Sequence, residues 1–518
     1  MIRLSHSRAL RQISAILTIL AASLGAAACT GAIDSGGGDD PAVAGGEEWS
    51  NGSGPSNGAG ASNGNGASSG AGAPSGNGGS SGTGDPGGTG SSSGAGDPGG
   101  SSSSAGGGPT PIPEATYEVG PGKPFASLDD VAPLLQPGDV VTVQGDHTYS
   151  GGVILENSGT AADKIRIFGI RVNGKRPRFE GGSNTIEIRA SHNELEGLDV
   201  TGGSTRCIYH HGDQNVIRDT VVHDCDKQGI LGGDYDTGSL TLEYVEVYGC
   251  GGGQYDHQIY MANDQGAYPD TVFRMQHCYL HDGNGGNNVK SRASRNEIYY
   301  NWIEGSYYHE LELIGADGQD PDSVREDSDV VGNVIKKVNS NHFAVRVGGD
   351  KPEGESNGRF RFVNNTFLLK QGSSPVFRLY EGVESIQMHN NVFYKMGGGG
   401  VVMIDDSEVS WTTGDEIIAG SNNWVASGSN EVPSQWTGTL TGDDPGFTSL
   451  ESNNLKPTGS SALLEAGNGA PSDPPGYTFP SPLALPLALP PPGDIEDMGT
   501  ALGRPVVGAI DIGAIEHN

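Results

Sequence analysis

The reactive side chains of this sequence are concentrated in five short segments of a 518-residue chain, at 207–211, 258–261, 288–292, 310–314 and 342–347. Polar and apolar residues tend to alternate in each segment, which predicts a β-strand with one buried face. If the apolar residues point inward, the outward side chains are Tyr209, His211, Gln258, Tyr260, Asn288, Lys290, Arg292, Glu310, Glu312, His342 and Arg346.

This set combines a base, cations and carboxylates. Removing a proton beside a carboxylate builds negative charge, which a cation must neutralise. We therefore predict Lys290 as the base, Arg292 and Arg346 as groups that hold a carboxylate or donate a proton, and Glu310 with Glu312 as ligands of a Ca²⁺ ion. The uronic acids of acidic polysaccharides are substrates of this chemistry, and we predict that Tyr209, His211, Tyr260 and His342 bind the substrate. The alternative is that Lys290 and Glu312 form only a surface ion pair between neighbouring strands.

A sequence repeat predicts the secondary structure that positions these five segments. A pattern of three spaced residues, apolar at the first and third positions, recurs eight times from Leu195 to Phe393, with first positions 22 to 33 residues apart. This spacing fits successive coils of a parallel β-helix with loop insertions. The middle position is Asn at 301, 333, 365 and 391, which predicts a ladder of buried amides from coil to coil.

Both ends of the array support an all-β, right-handed parallel β-helix. The segments Val119-Gly-Pro-Gly-Lys-Pro-Phe125 and Pro137-Gly-Asp-Val-Val-Thr-Val143 resemble the entry of secreted β-helix proteins of the pectate lyase-like superfamily. Between them, Leu128, Val131 and Leu135 predict a short capping helix that Pro133 truncates. The resemblance covers residues 117 to 518 and implies a fold, because the superfamily contains lyases, hydrolases, epimerases and proteins without known activity.

A second resemblance concerns the site. Asn288-Val-Lys-Ser291, followed by Asn296-Glu-Ile-Tyr-Tyr-Asn301, resembles a Lys-Ser strand and the next repeat in the alginate lyase and chondroitinase B family. That likeness implies that Lys290 is a general base, that an arginine on the next coil is the acid and that Ca²⁺ neutralises the substrate carboxylate. Glu312 occupies the place of that arginine, and Arg346, one coil further, is the nearest substitute.

Histidine and cysteine residues supply further predictions. The segment Tyr255-Asp-His-Gln258 faintly resembles the Asp-Pro-His-Glu site of alginate epimerases, so His257 is a candidate acid or base, with an exposed loop histidine as the alternative. Cys225 and Cys250 follow equivalent repeat positions and are predicted to stack on neighbouring coils. We predict a disulfide between them, against the alternative of buried free thiols.

Composition divides the chain into three parts. Arg3, Arg8 and Arg11 precede an apolar run, which predicts a signal peptide at 1–28. Its end resembles a bacterial lipoprotein box, which implies that Cys29 is lipidated and sorted to the outer membrane; simple secretion is the alternative. Residues 29–110 form a Gly/Ser/Asn-rich segment too polar to fold, which predicts a flexible tether. The β-helix domain then spans 111–518, with a Pro-rich C-terminal extension.

The charge balance restricts the partners. Sixty-three acidic and 30 basic residues give a net charge of −33, which argues against a nucleic-acid partner. The sequence favours a monomeric, surface-tethered lyase that cleaves an acidic polysaccharide by β-elimination. A non-catalytic carbohydrate-binding or adhesive lipoprotein is the main alternative, and a glycoside hydrolase or epimerase on the same fold is the third.

Overall fold

A computed structural model describes residues 112–315, 326–340, 342–349, 358–372, 375–380, 382–406, 417–479 and 481–517. The predicted signal peptide, Cys29 and the tether lie outside the described residues. No helix among the residues described has the length and apolar character needed to cross a bilayer.

The described chain winds through three parallel sheets, named here sheets A, B and C in the order in which each coil visits them. Sheet A contains Tyr117–Val119, Val140–Gln144, Ile165–Ile170, Asn193–Glu196, Asn215–Arg218, Leu240–Glu243, Val272–Gln276, Arg295–Tyr299, Asp327–Val331, Arg359–Val363, Ser385–His389 and Ile417–Ser421. Sheet B contains Thr148–Ser150, Arg178–Glu180, Asp199–Thr201, Val221–His223, Glu246–Tyr248, Tyr279–His281, Trp302–Glu304, Val334–Lys337, Thr366–Leu369, Val392–Lys395, Trp424–Ala426 and Leu440–Gly442. Sheet C contains Val153–Leu155, Asn184–Arg189, Arg206–Gly212, Gln228–Thr237, Ile259–Met261, Val289–Ser291, Leu311–Ile314, Val345–Gly348, Phe377–Leu379 and Ile404–Asp406.

The core confirms the repeat predicted from the sequence. Its first positions form one buried column on sheet A: Leu195, Ile217, Leu242, Met275, Ile298, Val330, Phe362 and Met388. Its third positions form another on sheet B, from Val200 to Phe393. The predicted right-handed parallel β-helix is confirmed.

At the corner between sheets A and B, one residue of most coils adopts the left-handed backbone conformation and the residue after it is buried. Asn364 and Asn390 have φ values of 52° and 59° there, a conformation that asparagine tolerates. The next residues form the predicted ladder: the side-chain oxygen of Asn333 accepts from the backbone N–H of Asn301 at 2.8 Å, and Asn365 does the same for Asn333 at 3.0 Å. The ladder continues through Asn391 to Asn423.

The N-terminal cap is shorter than the predicted helix. A single 3-10 turn, Ala132–Leu134, contains Pro133, and Leu128, Val131 and Leu135 are buried against the first coil. Proline restricts the preceding residue and removes a backbone donor, so the turn does not extend into an α-helix.

The C-terminal extension, residues 463–479 and 481–517, is called the strap here because it runs along the corner between sheets A and B. Asn422 donates to the carbonyl of Ala466 at 2.8 Å, and Asn390 donates to that of Asn468 at 3.0 Å. Further contacts reach towards the N-terminal coils. The hydroxyl of Tyr300 accepts from the backbone N–H of Leu487 at 3.1 Å, and Arg171 pairs with Asp497 at 3.2 Å.

The end of the strap is fixed by a buried ion pair. Arg504 and Glu516 approach to 2.7 Å with side chains 0% and 1% exposed. Arg504 also donates to the carbonyls of Gly513 and Asp511, at 2.8 and 3.1 Å. Asn364 donates to the same Asp511 carbonyl at 2.8 Å, so this cluster connects the strap to the corner of the β-helix.

The predicted Cys225–Cys250 disulfide is wrong. The disulfide joins Cys207, in sheet C, to Cys225, which follows a strand of sheet B, with a Cα–Cα distance of 5.6 Å. Cys250 does stack on Cys225 as predicted, with 2.9 Å between the sulfur atoms, but it is a buried free thiol, as is Cys278. Repeat spacing relates equivalent positions on neighbouring coils and does not reveal a partner such as Cys207, which lies at a non-equivalent position on a strand of sheet C.

Candidate active site on sheet C

The outward positions of sheet C form one column whose register is set by the parallel strands. Tyr260 lies opposite Lys290, Lys290 opposite Glu312, and Glu312 opposite Arg346. The column continues to Arg378. Strands in a sheet are about 4.8 Å apart, so Lys290 and Arg346 are separated by about 10 Å with Glu312 between them. The structure thus brings together four of the residues predicted for the site.

Glu312 is the centre of this column. Its carboxylate bonds to Nη1 of Arg346 and lies 4.0 Å from Nζ of Lys290, while its side chain is 5% exposed. Burial opposes ionisation, but Lys290 and Arg346 together hold the pKa of Glu312 well below its ordinary value. Glu312 is therefore a carboxylate at neutral pH and fixes the two cations on either side of it.

Asn287 connects the column to two histidines at the N-terminal ends of the strands. Its side-chain nitrogen donates to Glu312, and its side-chain oxygen accepts from the backbone N–H of His309 at 2.9 Å. Its own backbone N–H donates to Nδ1 of His257 at 2.9 Å. A neutral imidazole whose Nδ1 accepts a hydrogen bond carries its hydrogen on Nε2. His257 is buried rather than exposed, and this contact makes it a poor proton acceptor at Nδ1.

Arg292 does not lie on the outward column. Its side chain is buried, with Nη1 donating to the carbonyl of Gly315 at 2.6 Å and Nε donating to the hydroxyl of Tyr260 at 3.0 Å. Arg292 follows the last residue of its strand, so the alternation that orients Lys290 no longer applies to it. Its predicted role of holding a substrate carboxylate does not fit this burial, and it instead supports Tyr260.

Glu310 was predicted to share the site with Glu312, but the structure does not bring the two carboxylates together. Glu310 precedes the first residue of its strand and turns into the corner between sheets B and C, where it is fully buried. Its carboxylate accepts from Asn288 at 2.6 Å and lies 3.7 Å from Nζ of Lys337. Burial raises the pKa of Glu310 despite the neighbouring Lys337. Gln258 extends this buried ladder by donating to Asn288 at 2.6 Å.

The bonding partners of the Glu310 and Glu312 carboxylates show whether these residues could bind the predicted Ca²⁺ ion. The carboxylates have separate partners, and each is already neutralised by a cation of the chain, Lys337 for Glu310 and Arg346 for Glu312. No group of three or more His, Cys, Asp or Glu residues in the described part of the chain is arranged to hold a metal ion. Ca²⁺ ligation needs several converging oxygen atoms, so Glu310 and Glu312 do not fit it.

Tyr209 and His211 belong to a separate cluster. Leu231 stands between Tyr209 and Tyr260 in the column, which separates them by about 10 Å. The rings of Tyr209 and His211 are 4.1 Å apart, and the guanidinium of Arg206 lies 4.2 Å from the Tyr209 ring. The predicted single patch therefore divides into this cluster and the Lys290 column.

The far end of the column contains residues that the sequence prediction missed. Arg378 bonds to Asp405, which is in register with it, and both Arg346 and Arg378 approach the ring of Tyr380, at 4.3 and 5.1 Å. The alternation Phe377-Arg-Leu379 was a signal that could have identified Arg378 as an outward residue. His342, predicted to bind substrate, is half-buried with its ring against Tyr308.

Sheet B carries a second organised group of side chains, which contains two histidines and a tyrosine. The rings of His223, Tyr248 and His281 stack on successive coils with centroids 5.0 and 4.9 Å apart. Both ring nitrogens of His223 contact carboxylates, Asp199 at 3.0 Å and Asp224 at 2.8 Å. The faces of these rings are covered by one another, so the stack is not a platform for a sugar ring.

Comparisons with known proteins find similarity in fold. No protein-family model and no curated protein match the chain. Pectate lyase Pel9A is 13% identical with a TM-score of 0.44, covering 77% of this chain and 92% of that one. The alginate lyase from Paenibacillus sp. str. FPU-7 is 13% identical (TM-score 0.35; 61% and 96% covered), and pectin methylesterase PemA from Erwinia chrysanthemi 11% (0.30; 64% and 94%). Likenesses at this level carry no argument about activity.

Proposed function

We propose that this protein is a lyase that cleaves an acidic polysaccharide by β-elimination, with the column on sheet C as its active site. The observation that carries the proposal is the register that places Lys290 and Arg346 on either side of the buried Glu312 carboxylate. Elimination beside a carboxylate needs a base and a cation at the same sugar unit, and the side-chain nitrogens of Lys290 and Arg346 meet this need because both reach the Glu312 carboxylate. Fixed positive charge there stabilises the developing enolate.

Each residue of the column has a role in this proposal. Lys290 removes the proton next to the substrate carboxylate. Arg346 holds that carboxylate, and Arg378 binds another acidic group further along the glycan. Glu312 keeps Lys290 and Arg346 in place, as a buried partner fixes the groups that it bonds. No step is assigned to Ca²⁺, because Glu310 and Glu312 do not converge.

The predicted lipid anchor and tether are also part of this proposal. A lipid on Cys29 and the Gly-rich segment behind it would hold the β-helix at the outer membrane as a monomer, where extracellular acidic glycans are accessible.

The test is an assay of the full chain on alginate, pectate and glycosaminoglycans. β-Elimination leaves an unsaturated uronate that absorbs ultraviolet light, whereas hydrolysis leaves no such product. We expect absorbance to rise with one of these glycans and Lys290→Met to lower kcat by about 10²- to 10⁴-fold. The matched control, Lys175→Met, replaces an exposed lysine paired with Asp146 and is expected to keep wild-type activity. Unchanged activity in Lys290→Met would remove this mechanism.

Exposed tyrosines favour the second candidate, a non-catalytic glycan-binding protein. Tyr255 and Tyr307 are 56% and 47% exposed, in loops that precede the strands on either side of Val289–Ser291 in sheet C. Aromatic rings at such positions can pack against sugar rings without any reaction. Binding on a glycan array without product formation would support this function over the lyase.

A further inference from the structure

The proposed elimination lacks a proton donor for the departing glycosidic oxygen. Glu312 is ionised at neutral pH because Lys290 and Arg346 hold its pKa low, so it has no proton to give. Arg346 is bonded to Glu312, and a guanidinium does not release its proton in proteins. His257 is buried, and its Nδ1 accepts the N–H of Asn287, so the ring is a neutral imidazole that would have to become an imidazolate to give up its Nε2 hydrogen. The proton donor must therefore be another residue of the column.

Tyr260 occupies the position next to the proposed base. It is in register with Lys290, and Nζ of Lys290 lies 5.2 Å from the centre of its ring. The ring also meets that of His257 edge to face, with centroids 5.4 Å apart. Tyr260 is half-buried, so part of its side chain remains accessible to a glycan on sheet C.

The hydrogen bond from Arg292 orients the Tyr260 hydroxyl. Nε of Arg292 donates to the phenolic oxygen at 3.0 Å, and in the part of the chain that the structure describes this is the one hydrogen-bond partner of that hydroxyl. A hydroxyl whose oxygen accepts from a guanidinium directs its own hydrogen elsewhere. The same contact compensates the negative charge that forms when the proton leaves.

We infer that Tyr260 is the general acid of the elimination and that Arg292 is its positioning residue. This inference rests on the proposed lyase function and names the group that completes the reaction. At rest Lys290 is an ammonium beside Glu312, and it first releases one proton to solvent. The resulting neutral amine takes the proton beside the carboxylate, and the electron pair of the broken C–H bond forms a carbon–carbon double bond. The bond to the glycosidic oxygen breaks, and this oxygen receives the Tyr260 proton. Water then returns a proton to the phenolate, and Lys290 is again the ammonium of the resting state.

The decisive variant is Tyr260→Phe, which keeps the aromatic ring and removes only the hydroxyl. We expect kcat to fall about 10²- to 10⁴-fold with little change in KM, since general acid catalysis contributes factors of this size. The alkaline limb of the pH–rate profile is expected to disappear, because it reports the group that must be protonated. The charged and titratable groups facing Tyr260 are Lys290, Arg292 and His257, with Glu312 one coil further.

Tyr209→Phe is the matched control. Tyr209 lies in the same column and contacts an arginine, Arg206, but is separated from Lys290 by Leu231 and Tyr260. It is expected to keep the wild-type pH profile.

The positioning role is tested through Arg292. Arg292→Gln should lower kcat and move the alkaline limb, and Arg292→Lys should restore part of both, because an ammonium can still donate to the phenol. A merely structural Arg292 would change stability without moving the pH profile.

The two proposals fail in different ways. If the wild-type chain yields no unsaturated product from any acidic glycan tested, the lyase function is wrong and the inference falls with it. If the wild type is active but Tyr260→Phe retains its kcat and alkaline limb, Tyr260 is not the acid while the lyase function stands.

Discussion

Glu312 is the residue on which the arrangement of sheet C depends. It is a buried carboxylate between two cations, and such pairs usually add little net stability compared with apolar residues of the same size. Removing one member leaves buried charge uncompensated, however, and this costs much more. Residues of this kind hold reactive groups in position, which is the role that we assign to Glu312.

We predict that Glu312→Gln lowers the free energy of unfolding at pH 7 by about 3 to 5 kcal/mol, because Lys290 and Arg346 lose their counter-charge. The folded pKa of Glu312 is depressed, so its contribution is present above the unfolded value of about 4.3 and is lost as pH falls through the folded pKa. Denaturant unfolding of variant and wild type should therefore converge towards pH 3.

The control for this variant is Glu297→Gln on sheet A. Glu297 pairs with Arg274, whose side chain is 42% exposed, and with Arg295, which keeps Asp329 as a second partner. The variant leaves neither arginine buried without a partner, so we expect a loss of about 0 to 1 kcal/mol. Equal losses from Glu297→Gln and Glu312→Gln would contradict the central role of Glu312.

At the level of the elements, the stacked rings on sheet B make the stability of the folded protein fall as pH rises. Burial works against protonation of His223, but its bonds to Asp199 and Asp224 raise its pKa above the ordinary value. His281 has the same arrangement, with its pKa raised by Glu246 and Asp282. When both histidines are protonated, their rings enclose Tyr248, and each cation gains from the aromatic face.

We predict that the double variant His223→Gln/His281→Gln is less stable than the wild type at pH 5.5 and that this difference shrinks at pH 9. Because folding raises the pKa of both histidines, their protonated forms stabilise the folded protein fully below the unfolded pKa of about 6.5. This stabilisation is lost as pH rises through the folded pKa. Thermal unfolding at both pH values measures it. His147→Gln, which replaces an exposed histidine, should show no such dependence, and a pH-independent loss in the double variant would refute the prediction.

The sequence predicted the elements more completely than the site because of where each residue lies on its strand. Apolar columns such as Leu195 to Met388 follow from spacing alone, and so does the orientation of Tyr260, Lys290, Glu312 and Arg346 within their strands. Arg292 and Glu310 flank the strands, where the corner decides the direction of a side chain. The alternation rule assigned both to the outward face, and the structure places both in buried positions.

In the complete fold, the strap connects coils that are far apart in sequence. It bonds to corner residues from Asn422 back to Tyr300 and pairs with Arg171, and the Arg504–Glu516 pair fixes its end. In a solenoid each coil otherwise contacts only its neighbours. The strap therefore adds long-range contacts that the repeat does not supply.

We predict that Arg504→Met detaches the end of the strap, since Glu516 is left buried without a cation. Hydrogen exchange should accelerate in the strap and at Asn364 while the interior columns of sheets A to C stay protected. The double variant Arg504→Met/Glu516→Met should recover most of the protection, because an apolar pair can replace a buried ion pair at little cost. Equal exchange in the single variant and wild type would show that other contacts hold the strap.

The corner contacts of the strap also restrict how this protein can change in length. Asn364, Asn390 and Asn422 lie on successive coils, and each bonds to a different strap residue. Solenoids commonly gain or lose whole repeats without harm, because each repeat meets only its neighbours. Here a duplicated or deleted coil in this region would shift the asparagines relative to the strap and leave its end as a protease-sensitive tail. The number of coils is thus tied to the length of the strap, and the two must change together during evolution.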